Sequence, residues 1–203
     1  MHLGGVGSPH PSGRTPPITT TVPRMNEVGV AMVGGGNMGA ALLGGMIASG
    51  EFDPESLAVV ERLEERRAEL ATMFPAVAVV AETPPCSAAV IAVKPDGAAD
   101  AVAAAVSAGA RRILSIAAGV TLDALDAAAG PGVAVVRAMP NTPALLGLGS
   151  AAIPGGGAAS ADDLRLADMI LGSVGIVVPK EDPLRDAFNG GGGAGPAYVL
   201  LLG

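Results

Sequence analysis

The chain has 203 residues, half of them hydrophobic, which is enough to bury a core in one large or two small globular domains. A net charge of −7, an aromatic content of 2% and the absence of Trp argue against a nucleic-acid partner, since phosphate binding needs a basic face and base stacking needs aromatic side chains. The single cysteine excludes an intrachain disulfide and a multi-cysteine zinc site, and both histidines lie within the first ten residues. We therefore predict a cytoplasmic protein without a metal site.

The N-terminal segment, residues 1–24, is rich in Gly, Pro, Ser and Thr. It lacks the apolar stretch of a signal peptide, so we predict a disordered leader; an upstream start codon, with Met25 just before the first strand, is the alternative. Elsewhere no apolar run approaches the roughly 18 uninterrupted residues that a membrane-spanning helix needs, so no membrane partner is predicted.

The first predicted strand, starting at Val28, leads into a glycine-rich turn that is followed by a predicted helix over residues 37–49. Gly34, Gly36 and Gly39 match the pattern Gly-x-Gly-x-x-Gly: the first permits a tight turn, the second lets the backbone approach a pyrophosphate, and the third lets the helix pack closely on the strand. Free N–H groups at the helix N-terminus would then face an anion. A glycine-rich loop without a ligand is the alternative. The cofactor-binding residues that the motif itself predicts are Gly34, Gly36 and Gly39.

Strands and helices alternate along the rest of the chain, which predicts an α/β fold with a doubly wound, mainly parallel sheet. Segment 82–87 is too short for a helix, so this crossover is abbreviated or passes at a sheet edge. A helix starting at Ser160, with a capping-box spacing to Asp163, separates two later strands that we expect to extend the same sheet. The predicted strands after the first are 57–61, 77–81, 88–93, 112–117, 133–139, 148–153 and 174–178, and the predicted helices between them include 62–73, 96–108 and 121–129.

Ligands of open parallel sheets lie beyond the carboxyl ends of the strands, where this chain places Glu61-Arg62, Lys94-Pro95, Ala118-Gly119 and Pro140-Asn141. Each could be an ordinary turn residue, but together they favour a cofactor crevice. Glu61 follows Gly39 at a distance where an acidic residue could hold a ribose 2′-hydroxyl and favour NAD. Arg62 and Arg66, one helical turn apart, favour the 2′-phosphate of NADPH instead. A salt-bridged surface helix is the third interpretation.

Five segments resemble the pyrroline-5-carboxylate reductase family: residues 34–39, 92–95, 115–121, 136–143 and 193–198. The resemblance implies a Rossmann domain over residues 25–180 that binds NADPH, with NADH possible. It also implies that residues 181–203 begin a helical domain through which the family forms homo-oligomers, truncated in this chain. The chain departs from the family at two points: Ala194 stands where the family has serine, and the helix between the third and fourth strands is shortened. The further cofactor contacts implied are Val33, Gly35, Asn37 and Met38 around the phosphates, and Ala92, Val93, Lys94, Pro95, Ala117, Ala118 and Gly119 along the rest of the cofactor.

The activity implied by the resemblance is NADPH-dependent reduction of the cyclic imine 1-pyrroline-5-carboxylate, a small-molecule substrate, to L-proline. Because the cofactor carries the hydride, such a site mainly holds the reactants in place. Asn141 is the substrate-side candidate, Lys94 is expected to face the crevice, and no catalytic residue is assigned. The alternatives are an inactive, truncated dinucleotide-binding fragment or paralogue of the family, and a related dehydrogenase, which would not account for residues 139–143.

Overall fold

The computed structural model describes residues 28–138, 149–152 and 155–178. The predicted boundaries of the strands and helices differ from the observed ones by two residues or fewer. The elements are β1 (Val28–Val33), α1 (Asn37–Ser49), β2 (Leu57–Val60), α2 (Glu64–Met73), β3 (Ala78–Val80), β4 (Cys86–Ile91), α3 (Ala98–Ser107), β5 (Arg112–Ser115), α4 (Leu122–Ala129), β6 (Ala134–Arg137), β7 (Gly149–Ala152), α5 (Ala161–Gly172) and β8 (Gly175–Val178).

Six parallel strands form the main sheet in the order β3-β2-β1-β4-β5-β6, which confirms the predicted doubly wound α/β fold. The order reverses at β1, which pairs with both β2 and β4. Alternate side chains of the strands enter two separate cores: Met32 packs with α1, α2 and α5 on one face, whereas Ala31 and Val33 pack with α3 and α4 on the other. The carboxyl ends of all six strands therefore lie along one edge, next to the turn that follows β1.

The β3–β4 crossover is abbreviated, which was one of the two predicted alternatives: it consists of residues 81–85 without a helix. The connection crosses three strand spacings of about 4.8 Å each. It also runs back along the sheet by five residues, at a rise of about 3.3 Å per residue, so the distance between its ends is about 22 Å. Six fully extended steps reach about 20–22 Å, so the connection has no length to spare for a helix. Ala81, Glu82 and Thr83 line the same groove as α3, so the crossover passes on that face and leaves a groove where a crossover helix usually lies.

The prediction that the later strands extend the main sheet is wrong. β7 and β8 pair with each other in a separate parallel two-stranded sheet. The chain before α5 instead runs antiparallel along β6, where Gly155 bridges Val136 and the Gly156 N–H donates to the Val135 carbonyl (2.8 Å). These contacts occupy part of the β6 edge that a further strand would need.

Local signals for the helix starts are confirmed at two caps. The Thr121 side chain accepts from the Ala124 N–H (3.2 Å), and Ser160 forms a complete capping box with Asp163. Leu63, just before α2, is 69% exposed, whereas Leu70 of α2 is fully buried. Within the described ranges, none of the helices has the length and hydropathy needed to cross a bilayer.

Candidate dinucleotide-binding site

A cleft of about 1340 Å³ opens at the carboxyl ends of β1, β2 and β4 and continues along α3. It lies at the point where the strand order reverses, the usual ligand position in open α/β sheets. Ordinary small-molecule pockets hold about 300–1,000 Å³, so this cleft has room for an elongated ligand. Seven of the predicted site residues line it: Val33, Gly34, Gly36, Arg62, Ala92, Val93 and Lys94.

The three glycines of the motif have the backbone geometry that their spacing predicts. Gly34 has a φ of +110°, and a Cβ there would lie 2.5 Å from the carbonyl oxygen of Ala92. A Cβ at Gly39 would overlap the Gly34 carbonyl oxygen, so α1 packs directly on the end of β1. At Gly36 a Cβ would meet no atom within 4 Å, which leaves the backbone open to the approach of a ligand.

Helix α1 begins beside this open position. Its N-cap, Gly36, supplies no side-chain hydrogen bond, and the first turn contains no acidic residue. The N–H groups of the first turn therefore retain their capacity to donate, and the helix dipole adds a partial positive charge there. Together with the room at Gly36, this arrangement fits a phosphate group.

Gly35 is held from both sides by residues that follow β2. Its N–H donates to Oε2 of Glu61 (3.2 Å), and Nε of Arg66 donates to its carbonyl oxygen (2.8 Å). Nη1 of Arg66 also pairs with Glu69 (2.6 Å). Arg66, predicted to support a 2′-phosphate, thus contacts the glycine turn and its own helix and is not among the residues that line the cleft.

Arg62 is exposed and lines the cleft at the end of β2. Within the described part of the chain its guanidinium forms no ion pair. Nη1 of Arg67 donates to the carbonyl oxygens of Glu61 (3.0 Å) and Arg62 (2.7 Å), which fixes the backbone of this corner. Glu61 uses its other carboxylate oxygen, Oε1, to accept from the Leu63 N–H (3.0 Å). The cation is therefore presented to the cleft, while the carboxylate binds backbone groups.

Lys94 follows β4 and is exposed at the same edge of the cleft, next to Pro95, which begins a short 3-10 turn. The loop after β5 also reaches this edge: Ala117 is buried, whereas Ala118 and Gly119 are exposed, but none of the three lines the cleft. Asn141 lies outside the described residues.

The sequence interpretation missed the part of the cleft formed by Leu63, the β3–β4 crossover and α3. The signal for it was the short segment 82–87, because a crossover without a helix leaves one face of the sheet partly open. The missed lining residues are Val60, Leu63, Ala81, Glu82, Thr83, Asp96, Gly97, Asp100, Ala101, Ala104, Ser107 and Ala108.

Comparisons with known proteins agree with this geometry. The family model described as "NADP oxidoreductase coenzyme F420-dependent" matches residues 29–119. A pyrroline-5-carboxylate reductase of Synechocystis sp. is 36% identical over 185 residues, which cover 87% of this chain and 67% of that protein.

Two solved structures are similar over most of the chain. A pyrroline-5-carboxylate reductase of Coxiella burnetii has a TM-score of 0.74 and 27% identity, covering 86% of this chain and 67% of that one. The Plasmodium falciparum pyrroline carboxylate reductase with NADP bound has a TM-score of 0.68 and 25% identity, covering 86% and 66%. The chain thus spans about two thirds of the length of these relatives.

Proposed function

Because the chain belongs to the pyrroline-5-carboxylate reductase family, we propose that it binds NADPH in the cleft and reduces the imine of 1-pyrroline-5-carboxylate to L-proline. Bound NADPH supplies the hydride. The observation that carries the proposal is that one cleft joins the open backbone of Gly36, the uncapped start of α1 and the exposed cation of Arg62.

The glycine turn binds the pyrophosphate in this proposal. Gly36 leaves room for the phosphate oxygens to approach the backbone, and the first N–H groups of α1 are placed to donate to them. Gly34 and Gly39 act indirectly, since they allow the turn and the close packing of α1 on β1. The turn therefore fixes the position of the cofactor relative to the sheet.

Arg62 binds the 2′-phosphate and gives the preference for NADPH over NADH. Its guanidinium forms no ion pair with a described residue, and guanidinium groups match phosphate geometry with two parallel hydrogen bonds. Glu61, which would repel a 2′-phosphate, directs both carboxylate oxygens to backbone N–H groups. We expect the preference for NADPH to be about tenfold or more, as for other hydrogen bonds between charged groups.

Lys94 is proposed to position the reactants electrostatically, because it is the cation at the β4 end of the cleft. Hydride transfer to an imine carbon depends mainly on holding donor and acceptor a few ångströms apart. Asn141 remains the substrate-side candidate from the sequence.

The test measures dissociation constants for NADPH and NADH, and NADPH oxidation that depends on added pyrroline-5-carboxylate. Arg62→Ala should weaken NADPH binding and leave NADH binding nearly unchanged. Arg111→Ala is the matched control, because it removes the same charge from an exposed position at the opposite ends of the strands and should change neither constant.

Each part of the proposal has its own contradicting result. An unchanged NADPH preference in Arg62→Ala would remove Arg62 from the 2′-phosphate site. NADPH binding without substrate-dependent oxidation would contradict the reductase activity and favour a protein that only binds the dinucleotide. A wild-type chain that binds neither dinucleotide would contradict the whole proposal.

The resemblance also leads us to propose that the protein is cytoplasmic and that residues 181–203 begin the helical domain through which the family forms homo-oligomers. Light scattering on the chain with and without these residues tests the assignment. An unchanged number of chains per particle after their removal would contradict it.

A further inference from the structure

One carboxylate connects the two segments that the cofactor would contact. Oε2 of Glu61 accepts from the N–H of Gly35 in the glycine turn (3.2 Å), and Oε1 accepts from the N–H of Leu63 (3.0 Å). Leu63 is the N-cap of α2 and directly follows Arg62. The side chain of Glu61 therefore sets the spacing between the turn and the corner that carries Arg62.

The turn needs such a connection, because residues 34–36 are three consecutive glycines. Glycine has more backbone freedom than any other residue and loses the most on ordering. Tertiary contacts must hold the turn in one conformation, and the described contacts converge on Gly35. It is buried, its N–H binds Glu61, its carbonyl oxygen binds Arg66, and a Cβ there would overlap Cδ1 of Leu70.

We propose that Glu61 is a positioning residue that holds the phosphate-binding turn through Gly35, and not the ribose ligand that an acidic residue after β2 usually is in NAD-binding proteins. This inference rests on the proposed binding of a dinucleotide in the cleft. It differs from the ribose role in a measurable way, because the pyrophosphate is common to NADPH and NADH whereas the ribose substituent is not.

The two roles predict opposite patterns for Glu61→Ala. Loss of a positioning residue weakens the binding of both NADPH and NADH, on the order of tenfold for a hydrogen bond to a charged acceptor, because both contain the pyrophosphate. Removal of the negative charge offsets only part of this loss, and only for NADPH. Loss of a ribose ligand weakens NADH binding alone, and NADPH binding improves because a negative charge near its 2′-phosphate is gone.

The experiment compares wild type with Glu61→Ala, Glu61→Gln and Glu65→Ala, by dissociation constants for both dinucleotides. Glutamine keeps one carbonyl oxygen that can accept one of the two hydrogen bonds, so Glu61→Gln should restore binding in part. Glu65 is an exposed carboxylate on α2 that does not line the cleft, so Glu65→Ala should leave both constants unchanged and controls for the loss of charge.

A second measurement needs no cofactor: the hydrogen exchange of the Gly35 amide, followed by NMR. We expect its exchange to accelerate about tenfold in Glu61→Ala and to stay at the wild-type rate in Glu65→Ala. Equal exchange rates in wild type and Glu61→Ala, or a loss of NADH binding alone, would overturn the proposal. A wild type that binds neither dinucleotide would refute the proposed function, and the exchange rates would still decide whether Glu61 holds the turn.

Discussion

Replacing Gly36 with alanine should weaken cofactor binding and leave the stability of the fold nearly unchanged. Gly36 has φ −66° and ψ −174°, an extended conformation that alanine adopts without strain. A Cβ there would meet no heavy atom within 4 Å. The added methyl group therefore enters the open space in which we place the pyrophosphate, and it touches nothing in the folded protein.

The expected effects on stability and on binding differ in size. Replacing Gly by Ala restricts the unfolded chain and stabilises the fold by about 0.4–1 kcal/mol. Alanine is a poorer N-cap than glycine, which offsets this gain by a similar amount, so the net change should stay within about 1 kcal/mol. Displacing the phosphate from one backbone N–H should cost about 1.5–3 kcal/mol, or roughly 10–100-fold in the dissociation constant for NADPH.

Gly39→Ala, in contrast to Gly36→Ala, should mainly reduce the stability of the fold. Its Cβ would overlap the Gly34 carbonyl oxygen, so α1 must move away from β1. Such overpacking typically costs about 1–3 kcal/mol, and the thermal midpoint should fall accordingly. Gly157→Ala is the control: Gly157 is exposed, lies outside the cleft and has no atom within 4 Å of an added Cβ.

Thermal unfolding and NADPH titration of the three variants together test this reasoning. We expect Gly36→Ala to lose affinity at a nearly unchanged midpoint, and Gly157→Ala to match wild type in both. Wild-type affinity in Gly36→Ala, or a wild-type midpoint in Gly39→Ala, would refute the assignment of these two glycines.

Two further predictions concern stability. Gly172, the last residue of α5, is exposed, and an added Cβ there would have no atom within 4 Å. Gly172→Ala should therefore raise the free energy of unfolding by about 0.5–1 kcal/mol. A lower free energy of unfolding, measured by urea denaturation, would contradict this. Burial alone would raise the pKa of Asp163, but hydrogen bonds from Ser160 and Arg112 hold it below its ordinary value of 3.8. The ionised Asp163 therefore stabilises the fold above about pH 3.8, and this contribution is lost as the pH falls through the folded-state pKa. In Asp163→Asn the free energy of unfolding should fall less steeply in acid than in wild type. An identical dependence of the free energy of unfolding on pH in the two proteins would contradict the assignment.

The parts of the fold that depend on local pattern could be predicted from the sequence. An apolar run such as residues 28–33 is a buried parallel strand wherever it lies in the sheet, and Gly34, Gly36 and Gly39 specify the following turn through their own backbone freedom. Thr121 and Ser160 mark helix starts because a cap forms within four residues of chain.

The parts that depend on distant contacts could not be predicted. The pairing of β7 with β8 follows from the chain around Gly155 occupying the β6 edge, which no periodicity encodes. Arg62 and Arg66 are equivalent in the sequence, but in the structure one faces the cleft and the other binds Gly35, 31 residues away. The hydrogen bond from the Gly35 N–H to Glu61 could not be predicted either, because it depends on how α2 packs near the turn.

The short β3–β4 connection restricts how the length of this protein can vary in evolution. Surface loops usually gain and lose residues freely. Here one residue fewer between Val80 and Cys86 would shorten the reach by about 3.3–3.6 Å, and β3 could no longer stay in register with β2. An inserted residue would only add slack. We therefore expect homologous sequences to tolerate insertions at this position and to reject deletions.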